Sequence, residues 1–213
     1  MRALSTSDVP LDQLKNLSSE LGQDFALDID ERQVVFKSAH APSWIMFFAD
    51  ADWWVKALGA YAAIYVAEIV KEAGKATWKD RAKIGSAIGK AGNRIKQMAV
   101  ELAKLRTRLP LITELNIGLD VPNDYDGTRF ELVGTDAEEL AFQMALFIHY
   151  LPAVTDLIRN EKLTRGRVAA GIQLVVLPDA SLKVRWQDGA SLREETRILP
   201  LRNDMDRSVI EDE

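Results

Sequence analysis

The chain of 213 residues has no cysteine, and that absence removes thiol nucleophiles, cysteine-ligated zinc, iron–sulfur clusters, disulfides and thiol redox switching together. It has two histidines, His40 and His149, too few for a multi-histidine metal site within one chain. Glycine/serine-rich or proline-rich linkers are missing as well, so a single domain over 1–213 is expected. Residues 1–20 and 203–213 are read as flanking tails, the latter disordered because it carries five acids against one arginine. An uninterrupted run of about 20 apolar residues, the length that spans a bilayer, is also lacking. The best candidate, Trp53 to Val70, contains Lys56 and Glu68 and leaves 11 uncharged residues from Ala57 to Ala67. Met1 to Pro10 shows no apolar segment with a small-residue cleavage site, so the cytoplasm is the expected compartment.

Catalytic signatures are equally scarce. No Walker A loop, Rossmann glycine fingerprint, Gly-x-Ser-x-Gly elbow or His-Glu-x-x-His pair occurs. The string Ile84 to Gly92 is glycine-rich, yet it lacks a preceding strand and the Gly-Lys-Ser/Thr ending of a phosphate loop. Asp124 to Gly127 imitates half a calcium loop, but Thr135 occupies the twelfth position where a bidentate glutamate belongs, so a hairpin turn is expected. Glu138/Glu139 and Glu194/Glu195 are sequence neighbours and therefore do not converge on one point. His40 precedes Ala41-Pro42 in a loop and has no sequence-local carboxylate partner beyond Asp50. His149, with Asp156 or Tyr150, offers the one general-base reading, and a half-buried structural histidine is the favoured alternative. These absences argue against an enzyme and call for no cofactor or metal.

What is present is a globular composition, 47% hydrophobic and 28% charged, ample for a core. Phe25, Leu27 and Ile29 alternate with polar residues, then a polar turn leads to Val34–Phe36. Leu115 to Val121 and Arg129 to Val133 form a second such pair. Thr135 and Glu138 have the spacing of a capping box, and a helix over about 136–160 follows with Leu140, Met144, Phe147, Leu151, Val154 and Ile158 on one face. Pro152 should kink it. Ile172–Leu177 and Leu182–Trp186 read as a hairpin, with Leu192–Leu199 an added edge strand. Trp44–Phe48 reads equally as a strand or a helix approach. The pattern predicts an α+β fold: an antiparallel or mixed sheet built from hairpins, packed with a helical hairpin over about 51–108 and the second amphipathic helix. A ββα pseudo-repeat is suggested.

The most regular feature is the series Ile84, Ile88, Ala91, Ile95, Met98, Leu102, Leu105, Leu109, an alternation of four- and three-residue spacings like a coiled-coil seam. Gly85, Gly92 and Ala99 form a small-residue column beside it, and Gly59, Ala63 and Ala67 offer a matching face on the preceding helix, turning near Gly74. Packing within the chain is favoured over self-association or a foreign helix. Charge is segregated here: residues 71–108 carry 11 bases against three acids, a local +8, which leaves −13 for the remainder of a chain whose total is −5. Lys83, Lys90, Arg94 and Lys104 are the candidate anion contacts, although a solvated or internally paired face is the favoured alternative.

Trp44, Phe47, Phe48, Trp53 and Trp54 place five large rings in 11 positions. Neighbouring residues on a helix point about 100° apart, so at least one of Trp53 and Trp54 should point away from the main core unless another layer covers it, which favours a partner surface. The leading expectation is a non-enzymatic interaction, regulatory or accessory protein, binding a protein partner or itself through Trp44, Trp53, Trp54, Ile88, Ile95 and Leu102. The alternatives are an anion or nucleic-acid module on the basic helix, and a membrane-active effector exposing its Ala/Gly-rich helices.

Overall fold

The computed structural model describes residues 1–23, 25–31, 33, 43–49, 53–54, 93–110, 113–119, 128–160, 171–187, 191 and 193–201. Eight strands are found among them: β1 (Arg2–Ser5), β2 (Asp28–Ile29), β3 (Trp44–Ala49), β4 (Glu114–Leu119), β5 (Thr128–Leu132), β6 (Ile172–Val176), β7 (Leu182–Gln187) and β8 (Glu194–Leu199). The helices are α1 (Leu11–Leu21), α2 (Asn93–Arg108) and α3 (Ala137–Asn160). All eight strands join one sheet in the order β2-β1-β3-β4-β5-β6-β7-β8. The pairs β1/β2, β3/β4 and β5/β6 are parallel and the others antiparallel. The fold is α+β with a mixed sheet.

Period-two alternation decides which side chains face the helices. Ile45, Phe47, Leu115, Ile117, Phe130, Leu132, Ile172, Leu174, Leu182 and Val184 are buried on that side. The helices lie side by side against them, with α2 between α1 and α3. Burying such a side chain contributes roughly 1.5–3 kcal/mol, so this layer supplies most of the driving force. Trp44–Ala49 resolves as a strand, paired in parallel with β4 over its whole length.

Two expectations about the chain ends and helices change. Residues 1–20 are not a tail: β1 enters the sheet between β2 and β3, and α1 buries Leu14, Leu17 and Leu21 at helical spacing. Four residues are too few to reveal period-two alternation, which is why the sequence hides β1. Over its described part the seam is internal: Ile95, Met98, Leu102, Leu105 and Leu109 are all buried within the chain, as is Ala99 beside it, while Ile84, Ile88 and Ala91 lie outside the described residues. Of the expected helical hairpin, α2 and the helical pair Trp53-Trp54 lie among the described residues. Its partner face at Gly59, Ala63 and Ala67, the turn near Gly74, Gly85, Gly92 and the 34–36 strand of the pseudo-repeat lie outside them.

The start of α3 is shifted by one residue from the expected capping box. Asp136 caps the helix, its Oδ1 accepting from Glu139 N at 2.8 Å, while Glu139 Oε2 accepts from Thr135 N at 2.7 Å. Helical geometry begins at Ala137, so Asp136, not Thr135, occupies the capping position. The helix continues past Pro152 to Asn160. By length and composition α3 could cross a membrane, yet 72% of its apolar window is buried inside the protein, as befits a core helix.

On the opposite side of the sheet, Phe48 of β3 lies directly across from Gly118 of β4, and Arg2 of β1 stacks over the Phe48 ring at 5.6 Å. A Cβ on Gly118 would overlap that ring. Gly118→Ala is therefore expected to destabilise the protein by about 1–3 kcal/mol, read as a lower urea midpoint at unchanged m-value.

Candidate functional site

The face of the sheet away from the helices changes character along its length. Toward β1 and β3 it is apolar, carrying Leu4, Trp44, Met46 and Phe48; toward β5–β8 it is polar. Because Thr128, Phe130, Ile172, Leu174, Leu182 and Val184 turn inward, their strand neighbours Arg129, Gln173 and Arg185 must turn outward. Register then aligns them: Arg129 pairs with Gln173 across β5/β6, and Gln173 with Arg185 across β6/β7. Neighbouring strands are about 4.8 Å apart, so the two arginines stand roughly 10 Å apart at the backbone with an amide between them.

These residues line a cavity of about 350 Å³ together with Gly171, Trp186, Gln187 and Glu194. Gly171, with φ 64°, supplies the left-handed turn into β6 that a side chain would strain. Arg185 donates to Gln173 Oε1, and Gln173 Nε2 in turn donates to Glu131 Oε2 at 3.4 Å. Arg185 is also 3.9 Å from Glu194, whose side chain is 63% exposed, a geometry that contributes little. Arg129 differs. Its Nε is buried and finds no hydrogen-bond partner among the described residues. On the same face, diagonal to Arg129 across β4/β5, the Nδ2 of buried Asn116 is likewise without a partner there. These two buried donors leave hydrogen-bonding capacity unused on the stretch of sheet that adjoins the cavity wall at Arg129.

The chain matches no family model, no curated protein and no solved structure. The functional reading therefore rests on the chemistry of the residues themselves.

That chemistry is unlike what either sequence-based set of candidates implied. Trp54, Ile95 and Leu102 are fully buried and unavailable to a partner. Trp53 is half-buried between Phe25 and Trp54, at ring-centroid distances of 6.4 and 4.9 Å, so neither tryptophan turns away from the core. Two adjacent rings can both pack inward because Phe25 adds a second layer over the first. Trp44 is half-buried on the apolar part of the face away from the helices. Among the basic candidates, Lys104 pairs with Glu101 at 2.8 Å and Arg94 is exposed with contacts inside the chain. Nearby, Arg108 reaches Glu20 at 3.5 Å and Arg106 is occupied by backbone carbonyls, so this end of the basic segment is engaged internally. Ile88, Lys83, Lys90, His40 and Asp124–Gly127 lie outside the described residues.

No group of three metal-ligating side chains occurs among the described residues. His149 packs edge-on against Tyr150 at 5.1 Å, and the Tyr150 hydroxyl donates to Ala180 O at 2.9 Å, so that hydroxyl is committed elsewhere. Burial pushes the Tyr150 phenol above its ordinary range. Among the described residues, serine–aspartate pairs are Ser43 with Asp8 and Ser181 with Asp179. In each the serine hydroxyl donates to the carboxylate and holds it below the usual range, which makes a poorer base. Neither pair is arranged to activate its hydroxyl.

Arg129, Gln173, Arg185, Gln187 and Glu194 escape a reading of sequence alone because no short motif joins them. The signal that exists is alternation: Arg129, Gln173 and Arg185 each stand between inward-facing residues on a legible strand, whereas Gln187 and Glu194 have no such flanks. Strand neighbourhood is what assembles them, and the parallel β5/β6 pairing across α3 is a long-range fact.

Proposed function

We propose that the protein is a non-enzymatic binding module for a small anionic molecule, held on the polar half of the open sheet face by Arg129 and Arg185 flanking Gln173. The observation that carries this reading is the register that brings Arg129 and Arg185, on either side of Gln173, into the wall of one cavity of about 350 Å³. That volume falls within the usual range for small-ligand pockets, roughly 300–1,000 Å³. Guanidinium groups favour carboxylate and phosphate oxygens through charge-assisted, paired hydrogen bonds. The two arginines are balanced by Glu131 and Glu194, so a single carboxylate head suits the site better than a polyphosphate. Gln173 and Gln187 add amide donors and acceptors for a polar ligand body. With no nucleophile or activated base among the described residues of the cavity wall, occupancy itself is the event, which fits a regulatory or accessory role.

The test is a thermal-shift and calorimetric titration against a panel of small monocarboxylates, with inorganic phosphate as the contrast. A fitting carboxylate is expected to raise Tm by several degrees, since a ligand at 100 times its Kd adds about 2.7 kcal/mol. Arg129→Gln and Arg185→Gln should each remove the shift while leaving the unliganded Tm nearly unchanged. A panel without a single saturable binder, or a shift that survives Arg129→Gln, would overturn the proposal.

A further inference from the structure

We propose that β8 pairs with β8 of a second copy of the chain, antiparallel and centred on Thr196, so that two sheets become one. Among the described residues β8 is the last strand of the sheet, bonded to β7 on one side. Five of its six residues are exposed, and Ile198 keeps 56% of its surface in water. Even Glu195 and Arg197, which share a face with the inward residues Trp186 and Val184 of β7, are exposed, so the helix layer stops short of this strand. A strand with one bonded neighbour directs alternate N–H and C=O groups outward, a template for another strand.

Edge strands are normally blunted by shortness, by proline within them or by charged side chains, which repel a copy wherever like charges meet. β8 has six residues, no internal proline and charges of both signs. The order of those charges selects the occupant. When two copies pair with their helix layers on the same side, parity requires the twofold axis to pass through a residue, since directly opposed side chains point the same way. Centred on Glu195, the strands would oppose Glu195 to Glu195 and Arg193 to Arg197; centred on Arg197, they would oppose arginine to arginine. Centred on Thr196, each Glu195 meets Arg197 of the second copy, and Thr196 meets its own counterpart on the other face. Both are favourable cross-strand pairs. Arg197 also contacts its own chain, and its five N–H donors accommodate a second carboxylate. The same register brings Ile198 of the second copy beside Glu194, at the rim of the cavity.

A six-residue edge buries less than the roughly 800 Å² per partner of a standard stable interface, so the dimer should be concentration-dependent. Sedimentation equilibrium of the full chain is expected to show a mass rising from 23.8 kDa toward twice that value as concentration increases. Glu195→Arg and Arg197→Glu should each weaken dimerisation about tenfold or more, with circular dichroism unchanged. Combining both substitutions in one chain restores the opposite-charge pairs and should restore the dimer, and an equimolar mixture of the two single variants should form mixed dimers. A wild-type chain that stays monomeric at its highest soluble concentration overturns the proposal. So does a dimer that both single variants retain, or one that the charge exchange does not rescue. The readout is mass without added ligand, so its failure leaves the carboxylate reading standing, and the reverse.

Discussion

Truncating Trp54 to alanine is expected to cost the isolated chain about 3–5 kcal/mol, against a total stability of about 5–15 kcal/mol for a typical domain. The indole is fully buried, meets the Phe147 ring edge-on at 5.7 Å and 89°, and donates from Nε1 to Gly118 O at 3.4 Å. Phe147 continues the contact to Phe130 at 5.0 Å. One side chain thus ties the middle of the sheet, at β4 and β5, to the core helix α3. The cost combines lost transfer energy with a cavity that rigid neighbours cannot close. Trp54→Phe keeps an aromatic edge for Phe147 but loses volume and the hydrogen bond, and should cost roughly half as much. Denaturant unfolding of the purified chain is the measurement. If Trp54 were instead a partner anchor, its truncation would leave the isolated chain as stable as the wild type.

The contrast between Trp54 and Arg129 shows what the sequence conveys here and what it withholds. Local periodicity is legible: the seam from Ile95 to Leu109, the inward residues of β4–β7 and the helix following Asp136 all follow from spacing. The seam's periodicity does not say whose surface it meets, and the answer, α1 and α3 of the same chain, depends on elements far away in sequence. Trp53 and Trp54 mislead for a similar reason, because the second aromatic layer that covers them begins at Phe25. The arginine site is the extreme case. Arg129 and Arg185 are 56 positions apart and become neighbours through the registers of β5/β6 and β6/β7. β1 was hidden by its length alone.

These differences also move the charge argument. The +8 of residues 71–108 drew attention to a helix, yet at the described end of that segment the cations serve the fold. Lys104 and Arg108 answer nearby glutamates, and Arg106 answers carbonyls. Where basic groups and missing acceptors coincide, the local charge is balanced and the cations are few. An anion site is thus better located by donors that lack partners than by counting lysines, since dense surface charge is cheaply satisfied by water and neighbouring carboxylates.

Arg106 carries the second large expected effect. From the last turn of α2 its guanidinium donates to Leu132 O and to Gly134 O, each at 2.8 Å. Gln143 of α3 accepts from Gly134 N at 3.0 Å, and a Cβ on Gly134 would come within 2.8 Å of Glu139 Cβ. The connection from β5 to α3 is therefore pinned from both sides and tightly packed against the helix start. Removing the guanidinium leaves two carbonyls short of a donor in a partly buried place, so Arg106→Ala is expected to cost about 2–4 kcal/mol. Desolvation lowers the guanidinium's pKa, and the fields of Glu131 and Glu139 act the other way. It stays charged throughout the physiological range. The loss measured by denaturant unfolding should consequently be the same at pH 6 and pH 8 and change little between low and high salt. An ion-pair role toward Glu131 or Glu139 would instead shrink as salt screens it. Both bonds leave one nitrogen, Nη1, so Arg106→Lys, which keeps a charged multiple donor on a shorter reach, should recover part of the loss, whereas Arg106→Met, without donor or charge, should recover none; recovery by methionine would show that packing of the side-chain stem, not the bonds to Leu132 and Gly134, holds the connection.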